Sequence, residues 1–129
     1  MRNYQAHRNN PYYLPRSLYR RVVTLIQDYD RMVEERADII WETPEIGSDM
    51  PRGSGPGDPT ANKALRLARI EGDLEAIDQA LIRIPADYRA AVLRLVQSGG
   101  PYPQGANERT YRRWKQTLIY HTAKNLHLI

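Results

Sequence analysis

The chain has 129 residues, a net charge of +4, 26% charged residues and no cysteine. Its length suits one small domain, or a domain with an arm, and the lack of cysteine excludes disulfides, thiolate metal sites and thiol nucleophiles. No run approaches the roughly 18 apolar residues of a membrane span, and no signal-peptide pattern opens the chain. We therefore expect a cytoplasmic protein without membrane contact.

The charges are divided along the chain. Residues 1–21 hold five arginines and no acid, and residues 107–129 hold five basic residues and one acid. The stretch between them holds nine basic and fourteen acidic residues. Basic ends around an acidic middle favour a polyanionic partner that is held at the ends.

The first predicted helix spans about residues 15–42. Its apolar residues alternate in spacing between four and three, which is typical of a coiled-coil seam. These residues are Leu18, Val22, Leu25, Tyr29, Met32 and, after a gap at Arg36, Ile39.

A second helix with a matching seam is predicted from Asp58-Pro59, an N-cap and a favoured first residue, to Ile84. Its seam residues are Leu67, Ile70, Leu74, Ile77, Leu81 and Ile84. The two seams predict either a hairpin within one chain or a dimer, and the dimer is favoured slightly. Residues 43–58 between the helices are rich in proline and glycine, which predicts a flexible linker or loop.

A third helix is predicted from about Ala86 to Gln97, after the break at Pro85, with Gly99 as a left-handed C-cap. A tight connection over 101–106 leads to the terminal helix. The fold class is therefore all-α: a long helical hairpin with a flexible loop, then a helix-turn-helix-like pair with a shortened middle helix. The expected organisation is a flexible basic arm over 1–14, the hairpin over 15–84 and a DNA-binding segment over 85–129.

The terminal segment from Asn107 to Ile129 is predicted to be a long, basic, amphipathic helix, with Asn107 as its N-cap. Tyr111, Trp114 and Leu118 recur at helical spacing and can face a core. A different face carries Arg109, Arg112, Arg113 and Gln116. Arginine forks suit phosphate and guanine edges, and glutamine can pair with adenine. A solvated polar face explains this spacing equally well.

Three further basic residues are expected to contact DNA: Lys115, Arg20 and Arg21. The histidines His7, His121 and His127 have no metal-ligand spacing. No nucleophile motif or metal motif is visible, so we expect a protein that is not an enzyme and needs no cofactor or metal.

Two segments carry a family resemblance: IPADYRAAVLRLV (84–96) and RTYRRWKQTLIYHTAKNL (109–126). They resemble the fourth region of sigma factors, in which a helix precedes a helix-turn-helix. The layout of residues 15–126 is similar to the RinA/ArpU-type late transcriptional regulators of phages that infect Gram-positive bacteria. Supporting motifs are Asp28-Tyr29 in the first helix, the proline- and glycine-rich loop, and Asp58-Pro59-Thr60 with Lys63.

The resemblance implies an activator in the bacterial host that binds the promoter DNA of phage late genes and also touches RNA polymerase. It assigns the recognition-helix role to Glu108, Arg109, Arg112, Arg113 and Gln116.

Three hypotheses follow. The first is a sequence-specific regulator that binds double-stranded DNA as a homo-oligomer, with a dimer favoured. The second is a small-terminase-like component of phage DNA packaging or assembly, which forms a ring and contacts DNA without sequence specificity. The third is an adaptor that binds host RNA polymerase through the acidic middle of the chain.

Overall fold

The computed structural model describes residue 5 and residues 9–42 and 59–129 of the chain. The fold is all-α, as predicted, and no strand occurs in these ranges. The five helices are α1 (Arg16–Gln27), α2 (Tyr29–Ile40), α3 (Pro59–Ile82), α4 (Ala86–Ser98) and α5 (Glu108–Asn125). None of the described helices is both long and apolar enough to cross a membrane.

The second half of α5 is the centre of the fold. Residues 117–119 and 121–123 are all buried, so this part of the helix is covered on every side. Helices α1, α3 and α4 all contact α5, and its contact with α3 is the most extensive. Small side chains, Ala76 and Ala80 on α3 and Ala123 on α5, are buried in the core. The Asn125 side-chain amide then donates to the Ala76 carbonyl at 2.9 Å, which fixes the end of α5 on α3.

The predicted first helix is divided at Asp28, which separates α1 from α2. The Arg31 guanidinium binds this carboxylate through two nitrogens, at 2.7 and 2.5 Å. It also contacts Glu35 at 2.5 Å. The division gives the two halves different neighbours: α1 packs on α4 and α5, and α2 packs on α3.

Helices α2 and α3 form an antiparallel pair. The Tyr29 hydroxyl at the start of α2 donates to Asp78 near the end of α3, at 2.6 Å. Glu42 beyond the end of α2 lies 3.1 Å from Arg66 near the start of α3. Of the two halves of the predicted first helix, α2 thus packs along α3, whereas α1 packs on α4 and α5. The predicted N-cap Asp58 and the loop 43–58 lie outside the described residues.

The seam residues are used inside the chain. Val22 of α1, Met32 and Ile39 of α2, and Leu74 and Ile77 of α3 belong to one hydrophobic core. These side chains are therefore buried within one chain, and the predicted dimer through the seams is not needed to bury them.

Arg89 joins the end of α3 to α4. Its Nε donates to the carbonyls of Leu81 and Ile84, at 2.9 and 2.8 Å, and an Nη donates to the Ile82 carbonyl at 3.2 Å. The Leu81 carbonyl also accepts from the Ile84 N–H at 3.0 Å. Carbonyls at a helix end need partners from outside the helix, and a cation stabilises the negative end of the helix dipole. Arg89 therefore stabilises the turn that orients α4.

The ends of α4 and α5 confirm two cap predictions. Gly99 adopts the left-handed conformation, with φ 62°, and its N–H donates to the Leu95 carbonyl at 2.9 Å. The Asn107 side chain accepts from the N–H groups of Arg109 and Thr110. Residues 99–107 contain one turn and no helix. The turn is closed by a hydrogen bond from the Ala106 N–H to the Pro103 carbonyl. The expected middle helix is therefore reduced to a turn, because Pro101 and Pro103 cannot donate backbone hydrogen bonds.

The N-terminal segment, in its described part, lies against α5 and is not a loose arm. Gln5 and Leu14 are buried and form two hydrogen bonds: the Gln5 amide donates to the Leu14 carbonyl at 2.8 Å and accepts from the Leu14 N–H at 2.9 Å. The Tyr12 ring packs on Tyr120 and on His121, with centroids 4.8 and 5.5 Å apart. Residues 1–4 and 6–8 of the predicted arm lie outside the described ranges.

We expect this packing to make stability depend on pH through His121. Burial lowers the pKa of His121 below its ordinary 6.5, and the charges of Arg83 and Lys124 lower it further. The unfolded chain therefore binds a proton first as the pH falls through 6.5. The free energy of unfolding should fall from pH 7.5 toward the lower folded-state pKa, and urea titrations should record the loss.

The matched control is His127, which is exposed near the chain end. The His121→Gln variant should lose the pH-dependent component between pH 7.5 and 5.5, whereas His127→Gln should keep it. An unchanged slope in His121→Gln would contradict the assignment.

Candidate nucleic-acid interface

The first two turns of α5 are its longest exposed part, and Lys124 near the end of the helix is also exposed. Glu108, Arg109, Arg112 and Arg113 are exposed in the first two turns, in contrast to the buried second half of the helix. Six residues of α-helix extend about 9 Å. The structure therefore brings three of the predicted site arginines together over a short stretch.

The inner side of these turns is an aromatic cluster. The Tyr88 ring of α4 lies 5.3 Å from Tyr111 and 6.4 Å from Trp114, and Tyr102 lies 6.3 Å from Tyr111. Tyr111, Trp114 and Leu118 face the core as predicted, and Leu118 is fully buried. The aromatic cluster holds the exposed turns of α5 in place against α4.

The three arginines differ in their local contacts. Arg112 pairs with Glu108 at 3.2 Å, and both side chains are more than half exposed. An exposed pair of this kind contributes little to stability, so a stronger anion can displace it. The Arg113 guanidinium lies 5.5 Å from the Trp114 ring centroid, within the range of a cation–π contact.

Lys115 is only partly exposed. Burial lowers its pKa, and repulsion from Arg112 lowers it further. The ammonium therefore lies near another cation and partly away from water, so an anion bound beside it would relieve both costs.

Gln116 is used inside the protein. Its side-chain amide donates to Oε1 of Gln5 at 3.0 Å and to the Tyr12 carbonyl at 2.7 Å. Both amide hydrogens are therefore taken up by the N-terminal segment, and the side chain is partly buried. The predicted pairing of this amide with adenine does not fit this geometry. Gln116 instead anchors the N-terminal segment to α5.

Arg20 and Arg21 lie on different sides of α1. Arg21 borders a groove of about 810 Å³ with Leu126 and Leu128, at the far end of α5. Thirteen residues of helix separate that end from Arg113, or about 20 Å. Arg21 therefore does not join the arginines at the start of α5.

Arg20 faces a shallow depression together with Arg16 and Ser17. Tyr19, which lies between Arg16 and Arg20 in the sequence, is fully buried. Burial raises the pKa of Tyr19 to about 12, and the charge of Tyr102 raises it further. Tyr102 also packs on Tyr111 in the first turn of α5. Tyr102 thus packs on the first turn of α5 and lies close enough to Tyr19 of α1 to affect its pKa.

We call the resulting surface the basic end; its residues are Arg16, Arg20, Arg109, Arg112 and Arg113. Within the described residues, no ion pair joins Arg16, Arg20, Arg109 or Arg113 to a carboxylate. Sequence reasoning left Arg16 out of the site. Its four-residue spacing from Arg20 was a usable signal, since residues four apart share a helix face.

No protein-family model, curated protein or solved structure matches the chain. The residues of the basic end are thus the basis for a functional proposal.

We expect Gln116→Ala to destabilise the protein by about 1–3 kcal/mol, because it removes the side-chain donor to the Tyr12 carbonyl and one of the two donors to the buried Gln5 Oε1. Urea unfolding would measure the loss, and limited proteolysis should cut the N-terminal segment faster. Gln104→Ala is the matched control, since Gln104 is exposed in the turn before α5. Equal stability of the two variants would contradict the anchoring role.

Proposed function

We propose that the protein is a DNA-binding regulator of transcription that contacts duplex DNA through the basic end. One observation carries the proposal: exposed arginines stand at the start of α1 and at the start of α5, and among the described residues the only one of them that pairs with a carboxylate is Arg112, with Glu108. A solvated structural surface would more commonly mix the two signs of charge. The resemblance to phage late regulators adds the transcriptional role.

The start of α5 is suited to contact base edges. Its exposed length of about 9 Å is within the roughly 12 Å width of the major groove. Recognition helices of helix-turn-helix proteins also contact bases with their N-terminal residues. Arg109 and Arg113 are exposed there and can present guanidinium forks to guanine.

The start of α1 is suited to contact the phosphate backbone. Arg16 and Arg20 are exposed one turn apart, beside the shallow depression that they share with Ser17. Phosphate contacts fix orientation on the duplex without reading sequence. In this proposal α1 positions the protein on the duplex, and α5 contacts the bases.

The first test is selection of DNA fragments from the protein's own genome against unrelated competitor, at two salt concentrations. Phosphate attraction alone weakens steeply as salt rises, so a discrete fragment retained at the higher salt is the expected result. Loss of all fragments together would overturn sequence-specific binding.

Variants then separate the two roles on the retained fragment. We expect Arg109→Ala and Arg113→Ala each to cost about 1–3 kcal/mol of specific binding. Arg20→Ala should weaken binding to all sequences and lower the salt slope by about one. Arg21→Ala is the matched control, adjacent in sequence but on the other side of α1, and it should bind like the wild type. Equal losses in Arg20→Ala and Arg21→Ala would contradict the basic end as the interface.

A second candidate function is contact with RNA polymerase through α2. Asp30, Glu34 and Asp38 are exposed at four-residue spacing, and none of them has an ion-pair partner among the described residues. We expect purified host polymerase to bind the immobilised wild type and to bind the charge-reversed variant Glu34→Lys/Asp38→Lys at least about tenfold more weakly. Equal binding would exclude α2 as the contact. Arg20→Ala serves as a control with a changed charge elsewhere.

A further inference from the structure

Helix α3 has a second face that the described residues of its own chain leave uncovered. We call it the outer face, and its residues are Leu65, Ala68, Gly72, Glu75, Gln79 and Ile82. All six are exposed, including Leu65 at 65% and Ile82 at 59%. Their spacing alternates between three and four, as in the seam of a helix pair. Leu65 and Ile82 are large apolar side chains near the two ends of this face, and a partner helix along it would remove both from water.

We propose that the outer face binds the outer face of a second copy of the chain, with the two α3 helices antiparallel. This inference goes beyond the DNA-binding proposal and does not depend on it. The seam predicted from sequence is buried inside one chain, so a dimer must use a different face.

The outer face is self-complementary in size when the helices are antiparallel. A twofold axis between Gly72 and Glu75 puts Leu65 opposite the partner's Ile82. Ala68 then faces the partner's Gln79, and Gly72 faces the partner's Glu75. A Cβ added at Gly72 would have no atom within 4 Å. The space beside Gly72 is therefore open to the side chain of the partner's Glu75. Small residues on one half of the face thus receive long residues from the other half.

The charges of α3 favour the same direction. Residues 59–69 carry three basic residues and no acid, whereas residues 70–82 carry four acids and no base. Lys63 and Arg66 contact Glu42 and Asp78 accepts from Tyr29, so these charges lie on the α2 side, and Arg69, Glu71 and Glu75 remain exposed. An antiparallel pair places Arg69 about one helical turn from the partner's Glu75, whereas a parallel pair would place Glu75 against the partner's Glu75. Charge therefore selects a second copy in the antiparallel orientation.

Light scattering on the full chain without DNA would measure the mass. We expect a dimer at tens of micromolar, and Leu65→Asp and Ile82→Asp should each raise the dimer dissociation constant by at least about tenfold. Both positions are exposed, so circular dichroism should stay at the wild-type helix content. The matched control is Trp41→Asp, which charges an 83% exposed apolar residue outside the outer face and should leave the dimer intact.

Orientation can be tested by cross-linking because the chain has no cysteine. In the proposed pair the two Gly72 positions are offset by about 4.5 Å along the helices, so Gly72→Cys should form an intersubunit disulfide. The two Ala61 positions would lie more than about 30 Å apart, so Ala61→Cys should not.

Four results would overturn the proposal: a monomer at every concentration, a dimer that survives both Leu65→Asp and Ile82→Asp, dissociation by Trp41→Asp, or efficient cross-linking of Ala61→Cys.

Discussion

The burial of the second half of α5 on all sides is the constraint on which the rest of the structure depends. Leu118, Ile119 and Thr122 have no solvent exposure, so α1, α3, α4 and the N-terminal segment must each cover a side of one helix. A helix used this way cannot present a long face to DNA. Its first two turns carry the exposed cations Arg109, Arg112 and Arg113, and Lys124 is exposed near the other end of the helix.

Sequence reasoning succeeded where the cause is local. The caps Asn107 and Gly99 were predictable because a free N–H group and a left-handed C-cap each need particular residue types. It failed at Gln116, which shares a helix face with Arg109 and Arg113 by spacing. Spacing identifies a face but not what covers it, and the partner Gln5 lies 111 residues away in the sequence.

The two faces of α3 show the same limit. Both alternate in spacing between three and four, but only the seam with Leu67, Leu74 and Leu81 is strongly apolar in the sequence. The outer face has glycine, alanine, glutamate and glutamine between Leu65 and Ile82, and hydrophobic pattern alone passes over it. The exposure of the outer face suggests a partner only because the structure shows the apolar seam packed inside the chain.

The N-terminal segment links the core to the basic end. Gln5 and Tyr12 are held by Gln116, one helical turn beyond Arg113, so the segment covers α5 just where the helix passes from surface to interior. Its anchor on α5 therefore depends on the same helix that carries the exposed arginines. One helix therefore carries exposed cations in its first two turns and, one turn later, the side chain of Gln116, which is withdrawn from water by the N-terminal segment.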